Sequence, residues 1–371
     1  MLNTPKLRFK DKNGNAYPEW RIITLGDIFN ISAGGDIKKN NCTKEKTDLN
    51  IYPVYANALT NDGLYGYTNS YKVKSPAITI TGRGDVGHAV SRKEPFYPIV
   101  RLLVLQPNTE LNTDFYTSAI NRTKIFIEST GVPQLTSPQV AKVKLFAPCL
   151  EEQKKIAGFL SKVDELINEC EGEVKDLEEQ KKGLMQKIFS QQIRFKDSNN
   201  NPYPDWEETK LEEIYNFKYG LYNNNPDNGG QYPVYGANGV IGGYTEYNAE
   251  NSVIIGHMGA YAGSVLFEKN KHFVTYNGII TTPKDINKLN SRYGYFLLLN
   301  LNIRKICDGS GQPFLSYDTL NRIKAKVSKN IEEQEKIAKV LSKIDELIEE
   351  KKALLSDWQQ FKKGLLQQMF V

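Results

Sequence analysis

The sequence predicts an α+β protein in which two similar mixed α/β units are joined by two long antiparallel coiled-coil helices, with a pseudo-twofold relation between the halves. Three observations support this prediction. Residues 151–189 carry a seven-residue apolar repeat without a proline, a second copy follows at 332–370, and the segments before the two copies are repeated as well. An apolar period of seven sustained over that length is typical of a coiled coil.

The two helical stretches begin EEQKKIAGFLSKVDELI and EEQEKIAKVLSKIDELI, and 21 of their 39 aligned positions are identical. Because the first helix leads from one unit to the other and the second helix leads back, we expect an antiparallel pair with one unit near each end. The alternative is that each helix packs independently on its own unit. The predicted seam consists of Ile156, Leu160, Val163, Ile167, Val174, Leu177, Ile337, Leu341, Ile344, Ile348, Leu355 and Trp358.

A second repeat links the start of the chain to the region after the first helix. LRFKDKNGNAYPEW (7–20) returns as IRFKDSNNNPYPDW (193–206), with nine of 14 positions identical. The start of the chain therefore corresponds to a position that follows a long helix, and we expect residues 1–20 to lie close to Phe370. Trp20 and Trp206 are predicted to be core anchors. The remaining segments, rich in glycine, tyrosine and threonine, predict short strands and tight turns.

Composition and charge favour a cytoplasmic protein with a polyanionic partner. No apolar run approaches the roughly 18 residues of a membrane span, and the start of the chain lacks the apolar core of a signal peptide. The four cysteines show no paired spacing and are expected to be reduced thiols. The net charge is +5, but residues 151–189 carry −3 and residues 332–371 carry −1, so the remainder carries +9. This positive excess favours DNA or another polyanion.

No motif in the chain predicts catalysis or a metal site. GRGDVG (82–87) has the spacing of a dinucleotide-binding turn. Strand-like residues follow where that motif requires a helix, so we predict a turn between strands. The chain has no GxxxxGK[ST] loop and no Asn-Pro-Pro-Tyr-like tetrapeptide. Its three histidines, His88, His257 and His272, lack the spacing of metal ligands or of a catalytic triad.

Polar loops in both halves predict a nucleic-acid interface. Lysine and arginine can pair with phosphates and with guanine, while asparagine and glutamine can bond the adenine edge. For each residue singly, a solvated loop position is the alternative, and the repetition in two halves favours binding. The candidates are Lys38, Lys39, Asn40, Asn41, Arg83, Arg92, Lys93, Gln134, Tyr222, Asn223, Asn224, Asn225, His257 and Gln312.

The arrangement resembles the specificity subunit of type I restriction–modification enzymes. The resemblance is carried by the paired EEQ-KIA--LSK-DELI helices, each ending KKGL-Q--F, and by the segments STGVPQLT and GSGQPFLS. It implies target recognition domains at 1–150 and 191–331 and spacer helices at 151–190 and 332–371. Each domain would read one half of a bipartite, asymmetric site in double-stranded DNA, and the helices would fix the distance between the halves.

The same resemblance implies that the chain supplies sequence choice rather than catalysis. Two methyltransferase subunits would dock, one per half, and would use S-adenosylmethionine on a flipped adenine. Restriction subunits with ATP and Mg would add cleavage of unmethylated DNA. The chain itself would bind no cofactor and no membrane. Two alternatives remain open, namely a coiled-coil scaffold that gathers protein partners without reading DNA, and a stand-alone enzyme such as a methyltransferase.

Overall fold

A computed structural model describes residues 5–38, 41–123, 134–223, 225–307, 309 and 311–370. The chain divides into two compact units. Unit 1 comprises Met1–Cys170 and Leu354–Val371, and unit 2 comprises Glu171–Ala353. The two long helices each contribute one segment to each unit, because both unit boundaries fall inside a helix.

Unit 1 consists of short strands and short helices that precede the first long helix. Its elements in chain order are β1 (Arg21–Thr24), α1 (Leu25–Ile28), β2 (Phe29–Ala33), β3 (Tyr52–Tyr55), a 3-10 turn (Thr60–Gly63), β4 (Leu64–Thr68), β5 (Ala77–Ile80), β6 (Ala89–Arg92), β7 (Tyr97–Pro98), β8 (Leu103–Pro107), α2 (Thr113–Arg122), α3 (Ser137–Ala141), β9 (Lys144–Ala147) and the long helix α4 (Leu150–Phe189).

Unit 2 has the same order of strands and α-helices, while its 3-10 turn follows the helix Ser291–Asn300. Its elements are β10 (Glu207–Lys210), α5 (Leu211–Ile214), β11 (Tyr215–Tyr219), β12 (Tyr232–Gly236), β13 (Gly239–Tyr244), β14 (Ser252–Gly256), β15 (Val265–Glu268), β16 (Phe273–Val274), β17 (Gly278–Pro283), α6 (Ser291–Asn300), a 3-10 turn (Ile303–Ile306), α7 (Tyr317–Arg322), β18 (Lys324–Val327) and the long helix α8 (Ile331–Met369).

The sheets of the two units have the same strand order. In the described part of unit 1 the sheets are β1–β9, β2–β8–β5–β6 and β4–β3–β7, and in unit 2 they are β10–β18, β11–β17–β14–β15 and β13–β12–β16. The central strands β5 and β14 are buried along their whole length. This explains their nearly continuous apolar sequences, because a strand covered on both faces has no solvent side to mark with polar residues. The predicted duplication is therefore confirmed in the topology.

A buried tryptophan directly precedes the first strand of each unit. The indole Nε1 of Trp20 donates a hydrogen bond to Glu152 (3.2 Å), and that of Trp206 donates to Glu333 (2.9 Å). Both carboxylates lie in the first turn of a long helix and both are fully buried. The prediction that the two tryptophans are core anchors is confirmed.

The start of the chain packs against the end of α8. The ring centroids of Trp20 and Phe370 are 6.5 Å apart, and Phe370 also lies 5.4 Å from Phe115 of α2. All three rings are buried in the apolar core of unit 1. The prediction that the first twenty residues lie close to Phe370 is confirmed for the described part of that segment.

The long helices run antiparallel within each unit. In unit 2, Glu173 pairs with Lys351 and Lys181 pairs with Asp345, so the partner numbers fall along α8 as those of α4 rise. In unit 1, Asp164 near the start of α4 pairs with Lys362 near the end of α8. This confirms the predicted direction of the pair.

The apolar seam has a second role that the heptad pattern did not predict. Side chains of α4 and α8 join the sheets and short helices of each unit in one apolar core. The interpretation of the repeat as a helix–helix seam alone is thus corrected, because the same stripe also covers the globular part of each unit. Of the seam residues, Ile156, Leu160, Val163, Ile167, Val174, Ile337, Leu341 and Ile348 are buried, while Leu177, Ile344, Leu355 and Trp358 are half-buried.

Candidate nucleic-acid interface

Four loop segments of unit 1 are joined in two pairs by backbone hydrogen bonds. The amide of Gly34, after β2, donates to Leu102 (2.8 Å), and the amide of Arg101, between β7 and β8, donates back to Gly34 (3.0 Å). The amide of Leu135, before α3, donates to Gly82 (2.9 Å), in the turn between β5 and β6. We call residues 34–38, 82–87, 99–102 and 134–136 the loop face of unit 1.

In unit 2, backbone hydrogen bonds connect all four of the equivalent segments. Gly220 donates to Gly278 (2.9 Å), His257 donates through its amide to Asn277 (2.8 Å), and Leu315 donates to His257 (2.8 Å). We call residues 220–223, 256–263, 275–278 and 313–316 the loop face of unit 2.

The close approach of two segments requires a glycine at the same place in each unit. A Cβ on Gly34 would lie 2.7 Å from the carbonyl carbon of Pro98, and a Cβ on Gly220 would lie 2.1 Å from the carbonyl oxygen of Thr275. Both distances are far inside van der Waals contact, so only glycine allows the strand end and the neighbouring turn to meet.

The loop face of unit 1 is basic and polar. Arg83 and Gln134, both predicted from sequence, are brought together by an antiparallel backbone bridge. They line a cavity of about 250 Å³ together with Arg101. Arg101 is not among the residues predicted from sequence, because it stands in PIVRLLVL, where apolar neighbours indicate a strand. In the structure it occupies a turn, and only the strand pairings around it reveal that position.

Aromatic side chains form and flank the loop face of unit 2, with Tyr219 and Tyr317 directly beside it. Tyr219 stacks on Tyr317 with ring centroids 3.9 Å apart, and the ring of His257 lies 4.5 Å from Tyr219. The Nδ1–H of His257 donates to the carbonyl of Leu315 (2.8 Å), a pairing that leaves Nε2 as an acceptor in the neutral ring. The large side chains exposed around this cluster include Tyr222, Tyr261, Tyr276 and Phe314.

Several sequence candidates lie at the edge of the loop faces. Lys38, Asn41, Asn225 and Gln312 are exposed. Asn223 is half-buried and its Oδ1 accepts a hydrogen bond from the amide of Asn225 (2.9 Å), which shapes that loop. Lys39, Asn40 and Asn224 lie outside the described residues.

Two candidates have structural roles that remove them from the loop face. Arg92 is buried, its Nε donates to Thr79 (2.9 Å) and its guanidinium lies 3.6 Å from the ring centre of Tyr55. Burial lowers the pKa of Arg92. Lys93 pairs with Asp114 of α2 (3.3 Å), at the end of the β5–β6 hairpin opposite the turn. We do not carry these two residues into the proposed interface.

The structure agrees with the absence of a nucleotide-binding turn at 82–87. These residues connect β5 to β6 of one antiparallel hairpin, and no helix follows to receive a phosphate. In the described part of the chain, no group of histidine, cysteine, aspartate or glutamate side chains is arranged to hold a metal ion. None of the described helices has the length and apolarity needed to span a bilayer.

Comparison with known proteins identifies the family of both halves. Residues 17–179 and 203–356 each match the family model described as the type I restriction modification DNA specificity domain. Over 409 aligned residues the chain is 23% identical to the MjaVIII specificity subunit of Methanocaldococcus jannaschii, and the match covers 96% of this chain and 94% of that protein. A predicted type I specificity subunit of Mycoplasma pneumoniae is 29% identical over 167 residues, but only 46% of its length is covered.

A solved structure shares the fold over the whole chain. The specificity subunit of a type I restriction–modification system from Mycoplasma genitalium superposes with a TM-score of 0.72 at 21% identity. The match covers 99% of both chains. At this identity the superposition shows the fold and its duplication.

Proposed function

Since the chain belongs to the type I restriction–modification DNA specificity family, we propose that it reads a bipartite, asymmetric site in double-stranded DNA, one half-site per unit. Each unit corresponds to one target recognition domain, with boundaries near 1–150 and 191–331. The long helices, near 151–190 and 332–371, set the spacing between the half-sites. The chain works in the cytoplasm and supplies the choice of sequence, while partner subunits carry out the catalysis.

The observation that carries this proposal is the contrast between two equivalent loop faces. Their backbone frames match, with Gly34 and Gly220 in the same role. Their side chains differ, since unit 1 presents arginine and glutamine where unit 2 presents tyrosine, phenylalanine and methionine. Base identity is read by side chains at the groove edges. Two different side-chain sets on one frame favour two different half-sites.

Partner docking is supported by apolar side chains that the long helices leave exposed. In unit 2, Val340 and Leu347 of α8 are exposed at a spacing of seven residues, and in unit 1 Leu354 and Phe361 are exposed at the same spacing. A row with this period is suited to a helix of another protein. We propose that two methyltransferase subunits dock on the long helices and bring S-adenosylmethionine. Restriction subunits, with ATP and Mg, join through them.

Selection from a duplex library tests the proposal. The full chain, assembled with a type I methyltransferase subunit, is incubated with random duplexes and the retained DNA is sequenced. We expect two short motifs at one fixed spacing. Retention that falls steeply with salt and carries no motif would indicate phosphate contacts alone. Failure to retain DNA in an intact complex would instead favour the scaffold alternative.

A further inference from the structure

We propose that Arg83 and Arg101 read a guanine in the half-site of unit 1. Unit 2 reads its own half-site with different side chains. The proposal rests on the DNA reading proposed above and names the residues that set its specificity. Arg101 is included because of its position in the structure, since it is not a candidate from sequence.

Both guanidinium groups are available for a ligand. Arg83 and Arg101 are exposed, and in the described part of the chain neither guanidinium group donates a hydrogen bond or forms an ion pair. Other arginines of the chain are engaged, for example Arg8 with Glu152 and Arg292 with Asp345. The two arginines line one cavity of about 250 Å³ although they are 18 positions apart in the sequence, so the fold brings them together.

The turn that carries Arg101 has a backbone conformation that side chains normally avoid. Val100 has φ of +52° and Arg101 has φ of +56°. A β-branched residue such as valine is rarely found there. The amides of Val100 and Arg101 are held by Gly35 (2.9 Å) and Gly34 (3.0 Å), which fixes the turn in place. Strain that the surroundings enforce is typical of functional sites.

Unit 2 forms the equivalent turn without this feature. The amide of Gly278 donates to Thr275 (2.9 Å), as that of Leu102 donates to Ile99 (3.1 Å) in unit 1. Neither Tyr276 nor Asn277, the central residues, has a positive φ. The left-handed turn is therefore specific to the unit whose turn carries an arginine, which supports a role for the position of that side chain.

Guanine matches the groups that unit 1 presents. In the major groove guanine offers two acceptors, N7 and O6, and a guanidinium donates two parallel hydrogen bonds to them. Gln134 lies beside Arg83 and supplies an amide with one donor and one acceptor side, suited to a neighbouring base. In unit 2 the equivalent backbone bridge joins Met258 and Phe314, which have no charge to offer.

Substitution by lysine separates guanine reading from phosphate binding. Lysine keeps the positive charge but loses the planar fork, so a phosphate contact survives and a bidentate guanine contact does not. The variants are Arg83→Lys, Arg101→Lys and, as a matched control, Arg21→Lys on β1, whose side chain is exposed outside the loop face. Thermal unfolding of each variant confirms that the fold is retained.

The experiment is the library selection with the assembled complex. We expect the parent to select a guanine in one half-site, and Arg83→Lys or Arg101→Lys to reduce that preference by roughly 5- to 150-fold, the range of one bidentate pair. The second half-site and the control should be unchanged. The half-site that changes is then the one that unit 1 reads.

Three outcomes would overturn the inference while leaving DNA reading intact. They are a parent motif without guanine in either half-site, a guanine preference that survives both substitutions, and a uniform loss of affinity for all sequences. A parent complex that selects no motif would instead overturn the proposed function itself, so the two failures are distinguishable.

Discussion

The amide of Leu7 donates a hydrogen bond to the carbonyl of Gln368 (3.0 Å), and the amide of Ile193 donates to the carbonyl of Lys187 (3.1 Å). The two pairs are equivalent in the repeat. In the second pair three residues, 190–192, connect the helix end to the segment, whereas Leu7 and Gln368 come from opposite ends of the sequence. In unit 1 non-covalent contacts thus hold together a helix end and a segment that the chain itself connects in unit 2.

This relationship predicts that the chain tolerates circular permutation. A variant in which Phe370 is joined to Leu7 by Ser-Gln-Gln, copying residues 190–192, and which is opened between Gln191 and Gln192, should fold. We expect its melting temperature to lie within about 5 °C of the parent, because no buried backbone is cut. The control is opened between Ile78 and Thr79 of the buried strand β5 and should lose cooperative unfolding.

The buried carboxylate of Glu152 should be important for stability. It accepts hydrogen bonds from Arg8 (2.7 and 3.0 Å) and from Trp20 (3.2 Å), and it raises the pKa of Arg8 through the hydrogen bond. Glu152→Ala leaves the Trp20 indole without an acceptor and the Arg8 guanidinium without its counter-charge, bonded to two backbone carbonyls, and we expect the free energy of unfolding to fall by about 3 kcal/mol. Glu151→Ala, at an exposed neighbour, should change it by less than about 0.5 kcal/mol. Urea denaturation measures both, and equal losses would contradict the role of Glu152.

Exchanging the two charges of one ion pair between the long helices should restore stability in unit 1. Asp164 pairs with Lys362. Asp164→Lys or Lys362→Asp alone should destabilise the protein, and the double variant should recover about 0.5–1 kcal/mol, as expected for a half-exposed pair. A double-mutant cycle in urea measures the recovery.

The corresponding exchange in unit 2 should not restore stability. Asp345 pairs with Lys181 and also with Arg292 (2.8 Å). Exchanging Asp345 and Lys181 would place a lysine against that arginine, so the double variant should stay at least as unstable as the single ones. Recovery of stability equal to that in unit 1 would show that Arg292 does not destabilise the double variant.

Unit 2 should lose stability in mild acid because of His272. Its ring is buried, with Nε2 near Ser252 (3.0 Å) and Nδ1–H donating to Asn270 (2.7 Å), and burial lowers its pKa. Below the usual histidine pKa of about 6.5, the unfolded chain takes up a proton that the folded chain does not. Stability from this group is therefore complete above that pH and declines as the pH falls below it.

Replacement of this histidine isolates its contribution. His272→Gln should unfold with a shallower dependence on pH between 7.5 and about 5 than the parent, although it is less stable at pH 7.5. His257→Gln serves as the control, because His257 is half-buried on the loop face. Identical pH profiles for the parent and His272→Gln would exclude the mechanism.

The repeated features of the fold could be predicted from the sequence, whereas the features that depend on distant contacts could not. The positions of Trp20 and Phe370 followed from the repeat, because equivalent sequences make equivalent contacts. Arg92 looked like a loop cation, and only the fold shows Thr79 and Tyr55 beside it. Arg101 looked like part of a strand, and its turn is created by pairing with a segment more than sixty positions earlier. Neither environment is encoded by nearby residues.

The frame around Gly34 and Gly220 also bears on how binding preference can evolve. The bonds that join these segments in pairs in unit 1, and all four of them in unit 2, run between main-chain atoms, so exchanging the outward side chains leaves these bonds intact. Point substitutions there should cost little folding free energy while altering which bases are accepted. One scaffold can therefore acquire many different base preferences by substitution without losing its fold. Each half can do so independently of the other.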